Sequence, residues 1–221
     1  NGEFLGSAIN EIVRCARELL AHAISEGCGE VVAIATEVFR VAHNTPKIFA
    51  MLAPLIGVPT VLSSKEEGAL FYRSFTDIHH VSDCVAIDVG GGSVQIAWGV
   101  LPDQVVSLPI GTYALEKKFQ EAGVVPGPDG YRQIKKYIFD MVRAAVGDIT
   151  RKTLVMGSTC MADFISSALG HLGLREAKSA RLPLDIFAQL YACIAGRPYD
   201  SLAEYYPANP QFMYGATKLF W

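Results

Sequence analysis

The stretch that decides the fold reads Val85-Ala86-Ile87-Asp88-Val89-Gly90-Gly91-Gly92-Ser93-Val94-Gln95-Ile96. An apolar run leads into one aspartate, three glycines follow, and the chain turns apolar again after Ser93. This order predicts a strand, a tight glycine turn and a second strand. Because glycine has no Cβ, the backbone N–H groups of such a turn can approach an anion closely. The pattern indicates phosphate handling, and a β-hairpin with a glycine-rich turn is the alternative.

Asp88 ends the first of these two strands, beside the glycines. A carboxylate in that place can hold a divalent metal ion or orient a water molecule. An ordinary turn aspartate is the alternative for this residue.

Composition narrows the class of protein. The chain has 221 residues, of which 51% are hydrophobic and 19% charged, and a formal net charge of −3. A core of good size is therefore expected, and the basic face of a general nucleic-acid binder is not. The sequence contains no apolar run of about 18 residues, and five scattered cysteines are typical of reduced thiols. We expect a cytoplasmic protein that binds neither nucleic acid nor membranes.

Hydrophobic periodicity predicts an α/β order of elements along the chain. Predicted helices cover 7–26, 46–53, a segment from residue 64, 115–122 and 131–146, with Pro54 ending the second. Predicted strands cover 30–35 (buried on both faces), 59–62, 85–88, 94–99, 105–109 and 154–157, and the three strands between 85 and 109 form an antiparallel meander. Near residue 110 the predicted elements change from an α/β order to mostly helices with one strand. This change predicts two domains, 1–110 and 111–221.

Four segments in order carry a resemblance to a known family: Ala35–Asn44, Ser63–Tyr72, Asp88–Gln95 and Met156–Cys160. Together they resemble the exopolyphosphatase and guanosine pentaphosphate phosphatase family. That family belongs to the superfamily of actin, the heat-shock chaperone ATPases and the sugar kinases. The resemblance runs from about residue 7 to residue 219.

The resemblance implies a fold and an activity. The fold is two ribonuclease-H-like α/β domains, as in actin-like ATPases, with an active-site cleft between them. A hairpin before residue 1 and a glycine-rich segment after residue 221 are expected in the longer protein, so both chain ends are expected to be truncated. The activity is Mg²⁺-dependent hydrolysis of a terminal phosphate from inorganic polyphosphate or guanosine pentaphosphate. Family members commonly dimerise, so a homodimer is a further expectation.

By motif position, the resemblance also implies roles for single residues. Glu67 would be the general base that activates the attacking water, and Asp88 would bind the metal or position that water. Gln95 would be a second metal ligand. The residues expected to contact phosphate are Arg40, Gly90, Gly91, Gly92 and Ser93. From the residues alone, Glu67 as an exposed helix residue and Arg40 as a surface residue are the alternatives.

Some positions depart from the family pattern. Gln95 stands where the family usually has glutamate, and a neutral amide is a poorer Mg²⁺ ligand than a carboxylate. Ser158 stands where the fourth segment usually has a second glycine, and Gly68 replaces the usual alanine. Gln95 and Ser158 support an alternative function, a catalytically weakened member that binds phosphate or a nucleotide as a sensor or regulator.

Overall fold

The computed structural model describes residues 2–79, 84–99, 104–124, 128–147, 149, 153–157, 159–173 and 184–194. The chain divides into two compact units, Asn1–Glu67 and Gly68–Trp221. The division falls inside helix α4, which spans Ser64–His79. In the described parts of the chain, none of the helices combines the length and apolar character that crossing a bilayer requires.

The first unit contains the helices α1 (Gly6–Ser25), α2 (Glu37–Val41) and α3 (Thr45–Ile56) and the strands β1 (Ile34–Ala35) and β2 (Thr60–Val61). Helix α1 packs against α3 because both present apolar residues at helical spacing. The buried residues of this core are Ile9, Val13, Ala16, Ile48 and Leu52. Strands β1 and β2 pair in parallel, and Ile34 lies opposite Thr60.

Two predictions are wrong in this unit. The strand predicted over 30–35 consists of Ile34 and Ala35 only, and Val32 is 73% exposed rather than buried on both faces. The ladder is short because its partner, β2, is itself two residues long. Pro54 does not end its helix: α3 continues to Ile56. The missing N–H of Pro54 removes one intrahelical bond in the last turn, and the helix stops at Gly57, where φ is +75°.

The second unit is built on a four-stranded sheet of β3 (Cys84–Val89), β4 (Val94–Trp98), β5 (Gln104–Leu108) and β6 (Thr153–Gly157). The strand order is β5-β4-β3-β6. Strands β3, β4 and β5 form the predicted antiparallel meander, and β6 joins β3 in parallel. The sheet thus contains strands from both sides of residue 110, and the predicted domain boundary there stays a prediction.

The two faces of this sheet differ in size and polarity, because successive side chains point to opposite sides. One face packs against α5 (Thr112–Glu121) and α6 (Pro128–Val146) through large apolar residues. The buried residues of the core between this face and the helices are Val89, Val94, Ile96, Leu108, Ile110 and Leu115. The other face packs against Tyr72 of α4 through Cys84, Ala86 and Ala97. Helices α7 (Thr159–His171) and α8 (Leu184–Ile194) follow β6 in the chain.

The close approach of α4 to the sheet explains one departure from the family pattern. Gly68 is buried, and a Cβ added there would lie 2.6 Å from Cγ1 of Val105 and 3.2 Å from Cβ of Gln95. A β-branched side chain is stiff at χ1, so Val105 has little freedom to give way. Glycine at position 68 and valine at position 105 therefore fit each other.

We expect Gly68→Ala to lower the free energy of unfolding by about 1–3 kcal/mol, the usual cost of overpacking. The sign of this change in the free energy of unfolding is informative, because Gly→Ala in a helix interior otherwise stabilises a protein by about 1 kcal/mol. Val105→Ala in the same chain removes Cγ1 and should recover part of the loss. Urea unfolding of both single variants and the double variant measures this coupling, with Gly170→Ala, whose added Cβ would meet no atom within 4 Å, as the control. A Gly68→Ala protein more stable than the parent would contradict the packing argument.

Candidate active site

The predicted glycine turn is present as the connection between β3 and β4. We call residues Gly90–Ser93 the glycine loop. The N–H of Gly90 donates to the carbonyl oxygen of Ser93 at 2.9 Å, which closes the loop at the base of the hairpin. Ser93 itself is buried. Neither Gly90 nor Gly91 has φ in the left-handed region, so close packing rather than backbone torsion accounts for glycine there.

The first turn of α5 holds the carbonyl side of the glycine loop. The N–H groups of Gly111, Thr112 and Tyr113 donate to the carbonyl oxygens of Gly92, Gly90 and Gly91 at 3.1, 3.1 and 2.7 Å. The free N–H groups of a helix N-terminus are thereby satisfied by the loop. These three residues were not among the predicted site residues. The signal that could have found them is the glycine at position 111, three residues after the end of β5 and directly before α5.

A polar row crosses the small-residue face of the sheet. Asp88 lies directly opposite Gln95 on β4, and Gln95 lies directly opposite Ser107 on β5. Directly opposite side chains share a face and lie close together. The Nε2 of Gln95, which is 1% exposed, donates to Oγ of Ser93 at 2.8 Å and to Oγ of Ser107 at 3.4 Å. Gln95 therefore braces the end of the glycine loop.

Two adjacent glutamates begin α4, and the structure gives them different partners. The backbone N–H of Ser63 donates to Oε2 of Glu66 at 2.7 Å, and the N–H of Glu66 donates to Oγ of Ser63 at 3.2 Å. This reciprocal pair is a capping box, in which Ser63 is the cap of α4. The bonds from Ser63 lower the pKa of Glu66, because they stabilise its charged form. Glu66 therefore has a structural role at the start of α4.

The pH dependence of this cap is a small but testable effect. A lowered pKa means that the carboxylate of Glu66 stabilises the fold above its ordinary pKa, and that this contribution is lost as the pH falls through the lowered value. We expect Glu66→Gln to lower the Tm at pH 7 and to lower it less at a pH below the lowered pKa of Glu66, because protonation there removes the charge difference between the two side chains. Thermal unfolding at the two pH values measures this. A Tm difference that is equal at both would contradict it.

Glu67 is held by Arg40, a residue of α2 in the same unit. Nη1 of Arg40 donates to Oε2 of Glu67 at 2.9 Å and to the carbonyl oxygen of Leu62 at 2.6 Å. The two side chains are only 18% and 19% exposed. Glu67 is thus not an ordinary exposed helix residue, and its carboxylate has a fixed orientation.

Arg40 also carries an unused donor. Its Nη2 is buried and has no hydrogen-bond partner among the described residues. A buried guanidinium nitrogen without an acceptor costs free energy, and such groups are often ligand contacts. The predicted phosphate contact for Arg40 is compatible with this atom, while Nη1 is occupied by Glu67.

The predicted site residues lie in two groups. Arg40 and Glu67 are brought together in the first unit, and Asp88, the glycine loop and Gln95 in the second. Ser158 lies outside the described residues.

The residues of the second group set limits on a metal site. Among the described residues, no group of three or more His, Cys, Asp or Glu is placed to hold a metal ion. Asp88 supplies one half-buried carboxylate, and Gln95 is the neutral residue opposite it. This donor set fits Mg²⁺, which commonly keeps water ligands and binds through one or two carboxylates plus substrate phosphates.

A family model matches most of the chain. The model of the Ppx/GppA phosphatase family covers residues 1–192. The chain belongs to this family. The resemblance seen in the four sequence segments is thereby confirmed.

Curated relatives and solved structures agree with this membership. The chain is 25% identical to Exopolyphosphatase 1 of Mycobacterium tuberculosis over 167 residues, which is 73% of this chain and 47% of that protein. It is 27% identical to Exopolyphosphatase 1 of Mycobacterium leprae over 139 residues, which is 61% of this chain and 40% of that protein. The chain therefore spans less than half the length of these two relatives.

Two crystal structures show the fold. An exopolyphosphatase from Cytophaga hutchinsonii superposes with a TM-score of 0.82 at 16% identity, covering 100% of this chain and 74% of that one. The Ppx/GppA family member from Aquifex aeolicus superposes with a TM-score of 0.79 at 16% identity, covering 100% and 73%. This Ppx/GppA chain therefore has the α/β fold of its family.

Proposed function

We propose that this Ppx/GppA family member contributes the catalytic groups of a phosphoanhydride hydrolase that removes the terminal phosphate from polyphosphate or guanosine pentaphosphate. The observation that carries the proposal is the Glu67 carboxylate, fixed by Arg40 in a largely buried ion pair while the adjacent Glu66 caps the helix. A fixed carboxylate of this kind suits general-base catalysis. The mycobacterial relatives are named Exopolyphosphatase 1, and this name supports the same class of substrate.

The proposed chemistry needs few covalent steps. Glu67 takes a proton from water as the water oxygen bonds to the terminal phosphorus, and the anhydride P–O bond breaks, leaving inorganic phosphate and a shortened chain. Catalysis of this reaction is mostly positioning and charge stabilisation. The N–H groups of Gly91, Gly92 and Ser93 and the Nη2 of Arg40 donate to phosphate oxygens. The N–H of Gly90, predicted as a further phosphate contact, is bonded to the Ser93 carbonyl within the loop. Mg²⁺, held by Asp88 with Gln95 beside it, would neutralise phosphate charge.

Other features of the whole protein belong to the same proposal. The resemblance supports two ribonuclease-H-like domains, a cytoplasmic location and a homodimer. These stay predictions.

A non-catalytic binding protein is the second candidate, and Gln95 favours it. Its neutral amide donates to the hydroxyls of Ser93 and Ser107, so the usual carboxylate charge is missing from the polar row. Such a protein would bind a phosphate chain through the glycine loop without turning it over.

One experiment separates the two candidates. The full-length protein is incubated with Mg²⁺ and either polyphosphate or guanosine pentaphosphate, and phosphate release is followed beside calorimetric binding of each compound. Release on either compound supports the hydrolase, and the preferred compound identifies the substrate. Binding without release supports the sensor. A folded protein that shows neither binding nor phosphate release would contradict both candidate functions.

A further inference from the structure

The glycine loop and the first turn of α5 form one packed unit. All three glycine carbonyls of the loop accept a hydrogen bond from this turn, at Gly111, Thr112 and Tyr113. In a trans peptide the carbonyl and the following N–H point in opposite directions. The N–H groups of Gly91, Gly92 and Ser93 therefore point away from α5. Successive N–H groups on one side of a loop are an anion-binding arrangement.

Gly111 sets how closely α5 approaches. A Cβ at this position would lie 2.4 Å from the carbonyl carbon of Gly92, 2.5 Å from the nitrogen of Ser93 and 2.6 Å from the carbonyl carbon of Gly91. These are backbone atoms, so no side-chain rotation can relieve the clash. The φ of Gly111 is −62°, which any residue adopts. Space alone, and not torsion, requires glycine there.

We propose that Gly111 is a positioning residue for the glycine loop, and that α5 holds the loop with its N–H groups turned to the substrate phosphate. The ligand class rests on the proposed function. The positioning does not, because it follows from contacts within the second unit.

The contact at Gly91 differs in kind from the contact at Gly111. A Cβ on Gly91 would lie 2.8 Å from Cδ2 of Tyr113, whose side chain is 68% exposed. This clash involves a side chain and can be removed by Tyr113→Ala. The clash at Gly111 cannot be removed in that way. The pair of positions thus offers a test of which contact fixes the loop.

Thr112 offers a variant that spares the helix. It is the first residue of α5, where proline is well tolerated, and the φ and ψ of Gly111, −62° and 165°, suit a residue before proline. Thr112→Pro deletes the N–H that donates to the carbonyl of Gly90 and puts a ring carbon in its place. The loop should move while α5 remains.

The test uses the full-length protein with Gly111→Ala, Thr112→Pro and the control Gly170→Ala. Calorimetry with inorganic phosphate, turnover of polyphosphate and thermal unfolding are measured on each, together with the amide resonances of Gly90–Ser93. We expect Gly111→Ala and Thr112→Pro to shift these resonances and to weaken phosphate binding and kcat/KM by about tenfold or more, the cost of a small misplacement. Gly170→Ala, which lies in helix α7, should match the parent in loop resonances, phosphate binding and turnover. Adding Tyr113→Ala to the Gly91→Ala variant should restore its loop resonances and phosphate binding. Adding Tyr113→Ala to the Gly111→Ala variant should not.

The outcomes are distinguishable. If the Gly111→Ala variant does not fold, the Thr112→Pro variant tests whether α5 positions the glycine loop. Folded variants with parental loop resonances would overturn the positioning role, whatever the parent protein hydrolyses. A parent that neither binds nor hydrolyses phosphate compounds would overturn the proposed function, and the resonances would still decide the role of Gly111.

Discussion

Glu67→Gln is expected to lower the rate of phosphate release by roughly 10²–10⁴-fold, the contribution of a general base. The substitution keeps an oxygen that can accept the bond from Nη1 of Arg40, now 2.9 Å from Oε2. It removes the negative charge, and with it both the base and the charged partner of Arg40. The loss of activity should fall on kcat with KM close to that of the parent, and the Tm should be lower because Arg40 keeps a buried charge without its partner. Steady-state kinetics on the preferred substrate and thermal unfolding measure the two effects.

Glu66→Gln is the matched control, because it makes the same chemical change at the adjacent residue of the same helix. Glu66 is bonded to Ser63 at the cap and has no role in the proposed chemistry. Its variant should keep parental turnover at neutral pH. Equal losses at Glu66 and Glu67 would indicate damage to the start of α4. Parental turnover in Glu67→Gln would rule out Glu67 as the base.

Local patterns were read correctly from the sequence. The glycine loop and the two strands beside it depend on neighbouring residues, and β3, β4 and β5 formed the meander that their short turns predict. The helix predicted from residue 64 begins there, at Ser64 of α4. Such signals need no knowledge of the distant chain.

Contacts between distant residues were not readable in this way. Arg40 and Glu67 are 27 positions apart and meet through the path of the chain around β1 and β2. The family resemblance named both residues but gave no reason to pair them. The apolar run at 30–35 predicted burial, yet Val32 is exposed because strand pairing reaches only Ile34 and Ala35. Close packing at Gly111 likewise depends on where the loop lies in space.

The effect of Arg40→Lys should be almost as large as that of Glu67→Gln, with a different signature. Lysine keeps the charge but has no planar fork, so it cannot reproduce the bonds of Nη1 to Glu67 and Leu62 and also present a second nitrogen. If the buried Nη2 binds phosphate, inorganic phosphate should inhibit the variant less strongly than the parent, and kcat/KM should fall by roughly a hundredfold.

Arg17→Lys is the control for this change, since Arg17 is an exposed residue of α1 in the same unit. It should leave both phosphate inhibition and turnover unchanged. Thermal unfolding separates a structural from a functional role for Arg40. A variant with parental phosphate inhibition but a lower Tm would mean that Arg40 only braces Glu67 and Leu62. Weaker phosphate inhibition at a parental Tm would instead assign Nη2 to the substrate, because a group that only supports the fold has no reason to discriminate the ligand.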